Sequence, residues 1–241
     1  MNIEIERKHL VKHDLWGKFL SVSFPNHLLH FLYFCQTAIS KIMGYESFRK
    51  IKTVSKKFNI DVAMARLFEN VPPVEPSAWL VETLQMAELM PLMNEKTKSE
   101  RIVSPILLEI VKSYADRITL FSGESIDIRP EDDLAGECDF FFALHPPKPF
   151  IDTPIISLTE AKDEDMEYGV GQCAAQMYGA RLYNEAEGKN IAFIYGCATD
   201  GVEWQFLKLE NNSYFIDRKI YTDIREILGV WHIIMKSYLV L

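Results

Sequence analysis

Two apolar stretches of strand length each carry ionisable groups, and no other feature constrains the fold of this chain as strongly. Cys138-Asp139-Phe140-Phe141-Phe142-Ala143-Leu144 contains an aspartate. Pro154-Ile155-Ile156-Ser157-Leu158-Thr159 runs directly into Glu160-Ala161-Lys162. Desolvating a lone carboxylate or ammonium inside a strand this apolar is expensive. Such groups stay there when they pair with one another or hold a metal ion. The chain is therefore expected to fold so that Asp139, Glu160 and Lys162 converge at a sheet.

The pattern around these strands predicts what covers them. Lys50 to Phe58 is basic and reads as a short helix or an arm with a solvated face. Val71-Pro72-Pro73-Val74-Glu75-Pro76 is a linker by its prolines. Leu80, Val81, Leu84, Met86 and Leu89 recur at roughly helical spacing over Ala78 to Met90. Thr97 and Glu100 resemble a capping box. The helix that follows, to about Tyr114, buries Val103, Ile106, Leu107, Ile110 and Val111 and holds Pro105 in its first turn. A short strand over Ile118 to Ser122 ends at Gly123, and an acidic loop spans 124–136. Strands at 137–144 and 154–162 come next, then a helix from about Met166 to Asn184 and a strand from Ile191 to Ala198. Glu203 to Leu209 and Tyr214 to Ile216 form a hairpin turning at Asn211-Asn212-Ser213. An amphipathic helix with Thr222 as its N-cap closes the chain. Gly169, Gly171 and Gly179 lower the helical propensity of the 166–184 segment and are expected to admit close packing on the sheet. The expected class is α/β, one mixed central β-sheet flanked by helices.

Composition narrows the setting. A hydrophobic fraction of 48% with 25% charged residues is ordinary for a globular domain. The four cysteines, Cys35, Cys138, Cys173 and Cys197, show no CxxC spacing, so no zinc site is expected. Three of them sit in apolar contexts and read as reduced thiols of an intracellular protein, with the cytoplasm as the expected location. The net charge of −8 argues against a nonspecific electrostatic nucleic-acid binder. The charge is uneven, however: residues 1–70 hold eleven Lys and Arg against six Asp and Glu. Phe19 to Ser40 is apolar but contains Pro25, Asn26, His27, His30 and Gln36, which argues against a membrane span. Residues 1–42 differ in character from the rest and are expected to be an extension to a domain starting near Met43. His145 and His232 lack partners at ligand spacing and read as structural. Trp204 reads as core.

Alternate side chains share a face of a strand, so Glu160 and Lys162 are expected to point the same way, with Ile156 and Leu158. Asp139 shares its face with Phe141 and Ala143. If the two strands pair, Asp139 and Glu160 can hold one divalent cation between them. Magnesium takes one or two carboxylates and fills its remaining positions with water and phosphate oxygens. A lysine beside such an ion can orient a water and stabilise charge building on phosphorus. These three residue types suit phosphodiester hydrolysis. Asp163-Glu164-Asp165 could add ligands, but acids at a helix N-terminus are favoured there without any metal.

Asp139, the E-x-K of Glu160-Ala161-Lys162 and the helix-strand-strand-strand-helix-strand order together resemble the PD-(D/E)xK nuclease superfamily, the restriction-endonuclease-like fold. The resemblance covers roughly residues 97–200; Cys138 stands where the motif's name has proline. It implies that Asp139 and Glu160 ligate Mg²⁺, with Mn²⁺ as a substitute, and that Lys162 is catalytic. It further implies Glu109 as an acidic metal ligand on the preceding helix, and Gln172 with Gln176 as a glutamine motif supporting the site. The implied organisation is an extension over 1–42, a helical region with a Pro-rich linker over 43–96, and a nuclease-like domain over 97–241. The implied partner is nucleic acid, DNA ahead of RNA, with a homodimer where both strands of a duplex are cut and no membrane. The alternative is a catalytically inactive module of the same fold, serving a nucleic-acid or defence complex.

Overall fold

Strands β3 (Glu137–Ala143), β4 (Ile155–Ala161) and β5 (Phe193–Thr199) are buried along nearly their whole length on both faces. Helices must therefore cover both sides of the sheet. The computed structural model describes residues 44–162 and 165–239. The expected extension over 1–42, Cys35, Asp163 and Glu164 lie outside them.

The remaining elements are α1 (Ile51–Phe58), β1 (Asp61–Ala65), α2 (Ala78–Glu88), α3 (Glu95–Lys98), α4 (Ser104–Tyr114), β2 (Thr119–Ser125), α5 (Met166–Ala186), β6 (Trp204–Glu210), β7 (Ser213–Tyr221) and α6 (Ile224–Leu239). The seven strands form one mixed sheet in the order β1-β7-β6-β5-β4-β3-β2. β1 and β7 run parallel, as do β4 and β5; the other neighbours are antiparallel. This is an α/β fold with a mixed sheet flanked by helices. One face packs α5 and the 45–60 segment around Phe141, Leu158 and Cys173. The other packs α4 and α6 around Phe142, Phe206 and Trp231. Among the described residues no helix is long and apolar enough to cross a membrane.

Several local expectations are corrected. The capping box sits three residues early: Asn94 is the N-cap of α3, its Oδ1 accepting from Thr97 N at 2.9 Å while Thr97 Oγ1 accepts from Asn94 N at 3.3 Å. A π-turn over Ser99–Val103 joins α3 to α4, and Pro105 lies in the first turn of α4, as expected. The wide turn suits a residue with no N–H to donate. β2 continues through Gly123, whose φ of 69° is available to glycine without strain. Asp223, not Thr222, accepts the first amide at the start of α6, from Arg225 N at 2.8 Å. β1 was not expected; it has no alternating pattern and forms by pairing on the outer edge of β7.

The glycines of α5 have two roles. A Cβ on Gly169 would meet Lys162 Cγ at 3.2 Å and Ala198 Cβ at 3.3 Å, so this glycine does allow close packing on the sheet. Gly171 instead admits the chain entering α1: a Cβ there would lie 2.6 Å from Lys50 N and closer still to the Phe48 carbonyl oxygen. Backbone atoms cannot swing aside as side chains do. Gly171→Ala is therefore expected to destabilise the fold by about 1–3 kcal/mol, read as a fall in the midpoint of chemical denaturation.

Candidate functional site

The site is built where β3 and β4 pair. The antiparallel register matches Phe140 with Thr159, which sets Asp139 opposite Glu160 one step further along. A bulge lies at the other end of β4: pairing passes from Phe142–Ser157 to Ala143–Ile155, and Ile156 is the extra residue. One extra residue reverses the alternation. Ile156 therefore packs with Phe142 under α4 and α6, and not on the Glu160 face as expected. Leu158 and Phe141 stay on the α5 face with the two acids.

The three residues expected to converge do so. Glu160 is 1% exposed. Its Oε1 lies 2.9 Å from Lys162 Nζ in an ion pair. Gln176 Nε2 donates to Glu160 Oε2 at 2.7 Å. Asp139 Oδ2 accepts the backbone N–H of Ala161 at 2.8 Å, so this carboxylate also ties the end of β4 to β3. Lys162 Nζ donates to Glu95 Oε1 at 3.2 Å and lies 5.4 Å from the centre of the Tyr168 ring. Its backbone N–H donates to Thr199 O at 2.8 Å, which aligns it with the end of β5.

The electrostatics follow from this crowding. Burial, then the charge of Asp139, pushes the Glu160 carboxyl up to about 8, against the pull of Lys162 and Gln176. Burial also raises Asp139, opposed by the Ala161 amide and Lys162. Burial alone would lower the Lys162 ammonium, but Glu160, Glu95 and Asp139 together outweigh it and hold the group protonated well above its ordinary range. The cluster therefore carries one firmly held positive charge beside two carboxyls that resist ionising together.

Asp139 and Glu160 are the two carboxylates that could hold a hard divalent cation, which would fill its other positions with water and phosphate oxygens. Among the described residues no group of three or more His, Cys, Asp or Glu side chains is arranged to hold a metal.

The structure does not bring Glu109 to this cluster. Its Oε1 accepts from Ser77 N and its Oε2 from Ser77 Oγ, both at 2.9 Å, and Lys112 Nζ donates to Oε2 at 3.0 Å. Burial opposes ionisation, but the Ser77 groups and Lys112 together hold this carboxyl below its ordinary value. The physical reason is position: α4 turns Glu109 towards the N-terminus of α2, where it fastens the N-cap residue Ser77. Glu109→Ala is expected to cost about 1–2 kcal/mol of stability by removing that support from the cap and to leave any cleavage rate unchanged. Paired melting and cleavage assays check both halves.

Gln172 is 4% exposed on α5, and its Oε1 has no hydrogen-bond partner among the described residues. Its neighbour one turn on, Gln176, is the glutamine that reaches Glu160. The acid contributed from outside the sheet is Glu95, which the sequence pattern did not single out. The signal was Asn94-x-x-Thr97: a cap at Asn94 puts Glu95 at the first position of α3. Asp165 caps α5 by accepting from Tyr168 N at 3.0 Å, in line with a helix-terminal role. His145 bonds to Thr119, and His232 Nδ1 lies 2.7 Å from Tyr114 Oη, so both have structural partners. Trp204 and the three described cysteines are buried. No family model matches this chain, and no curated protein matches it either.

Proposed function

We propose that this chain is a metal-dependent phosphodiesterase that hydrolyses nucleic acid, DNA ahead of RNA, on a PD-(D/E)xK-type core. The observation that carries the reading is the meeting of Asp139, Glu160 and Lys162 at one end of an otherwise apolar strand pair, with Lys162 Nζ 2.9 Å from Glu160. The order α4, β2, β3, β4, α5, β5 supports it as well. In this reading Asp139 and Glu160 are the ligands, and Gln176 fixes the Glu160 carboxylate in one orientation. Lys162 stands beside these two ligands as a fixed positive charge. Its ammonium orients the attacking water and neutralises charge gathering on the phosphoryl oxygens. A bound Mg²⁺ or Mn²⁺ supplies the Lewis acid that polarises the phosphate and acidifies a coordinated water.

A second reading, a binding module without catalysis, is favoured by one observation. Both oxygens of Glu160 are already engaged, one by Lys162 and the other by Gln176. The two readings part on metal binding. The nuclease reading expects Mg²⁺ or Mn²⁺ to raise the melting temperature, since a ligand bound only by the native state stabilises it. It also expects the same ions to switch on cleavage of plasmid or single-stranded DNA. No stabilisation and no cleavage with either ion would leave only the binding module.

A further inference from the structure

The charge of this protein is least like its average in the short segment Arg49-Lys50-Ile51-Lys52-Thr53-Val54-Ser55-Lys56-Lys57-Phe58, which holds five cations and no acid in a chain of net charge −8. All five cationic residues are exposed. Lys50 pairs with Glu167 at 3.0 Å and Lys57 with Asp133 at 2.8 Å. Lys52 and Lys56 pair with no acid among the described residues. They lie one turn apart on α1, where like charges repel. Lys50 at the N-cap makes no side-chain capping bond, and Lys52 in the first turn opposes the helix dipole. Lys56 and Lys57 in the last turn, by contrast, suit the dipole there. Lys50, Lys52, Thr53, Lys56 and Lys57 line a shallow depression of about 440 Å³.

The basic segment is fastened to the candidate site. Its backbone packs against Gly171 of α5, and Tyr168 Oη donates to Glu46 O at 3.1 Å. The Arg49 guanidinium lies 5.1 Å from the centre of the Tyr168 ring, and Lys162 Nζ lies 5.4 Å from the same centre. One aromatic ring thus separates the catalytic lysine from the start of the cationic surface.

We propose that Arg49 and the exposed face of α1 form the track along which the sugar-phosphate backbone of the substrate nucleic acid approaches Lys162; this rests on the nuclease reading above. A track of charges without base-reading side chains gives affinity and register, not sequence preference. An eight-residue helix is about 12 Å long, enough to follow roughly three phosphates of one strand.

The test is fluorescence anisotropy of a labelled 20-base-pair duplex and of its single strand. It uses the full chain in EDTA, so that binding is read without cleavage. Lys52→Glu/Lys56→Glu is expected to weaken binding at least tenfold at low salt. The neutral Lys52→Gln/Lys56→Gln pair should flatten the dependence of log affinity on log salt by about two, near 0.9 for each phosphate no longer neutralised. Both side chains are exposed, so melting temperatures should match the parent. Unchanged affinity and salt slope in these variants, with a parent that still cuts DNA, would overturn the track and leave the nuclease reading standing. A parent that neither binds nor cuts overturns both. Loss of binding to phosphatidylserine vesicles with duplex binding intact overturns the track in favour of a lipid surface.

Discussion

Lys162→Ala is expected to lower magnesium-dependent cleavage by about 10²–10³-fold, the usual loss when one preorganised charge is removed from a developing oxyanion. The ammonium is nearly buried, 15% exposed, and is held between Glu160 and Glu95, so its position is set before substrate arrives. Removing it takes away the cation that partly offsets the mutual repulsion of Asp139 and Glu160. A divalent ion can restore that charge balance. The variant should therefore keep, or enlarge, its thermal stabilisation by Mg²⁺ while losing turnover. Initial rates of plasmid nicking, read beside a melting titration with Mg²⁺, give both results. A variant that nicks at the parental rate removes Lys162 from the mechanism.

The second large effect concerns Glu160 and couples stability to pH. Its carboxyl is pushed up to about 8 in the fold, against an ordinary value of 4.5. A group whose folded value is raised favours the folded state while protonated. That contribution is complete below about 4.5 and is lost as pH rises through about 8. Without metal, the parent chain should therefore lose stability between these limits, on the order of a few kcal/mol. Asp139, also raised, acts in the same direction. Glu160→Gln keeps an oxygen for the Gln176 amide and removes the titration. Its melting temperature should stay flatter over that range and exceed the parent's at pH 8, while cleavage is lost. Parallel melts in EDTA from pH 5 to 9 measure the difference. A variant that tracks the parent at every pH would show that Glu160 is not the titrating group.

The candidate site and the fold were legible from the sequence to different depths. The shared face of Glu160 and Lys162 followed from strand periodicity, because alternation is a property of the extended backbone itself; the pairing of β3 with β4 stood only as a condition until the sheet showed it. The turn at Asn211 and the covering helices likewise followed from local patterns. The face of Ile156 did not: the bulge that reverses it exists only when β3 lies alongside. Glu109 entered the site only by analogy of position on the preceding helix. The rotation of α4 against α2 instead gave its carboxylate to Ser77 and Lys112. Gln172 and Gln176 are equivalent by spacing, and helix packing alone selected Gln176 as the partner of Glu160.

By itself the sequence determined that Asp139, Glu160 and Lys162 needed partners, since apolar strands cannot carry unpaired charge at a tolerable cost; that they partner one another rests on the pairing of β3 with β4. Tertiary structure alone decided who joined them. Glu95 and Tyr168 arrive from other elements, and contacts across such separations depend on how helices seat on the sheet, which no local pattern encodes. The same seating brings the start of the basic segment to within one ring of Lys162, giving a run that reads as an ordinary solvated face a position beside the candidate site.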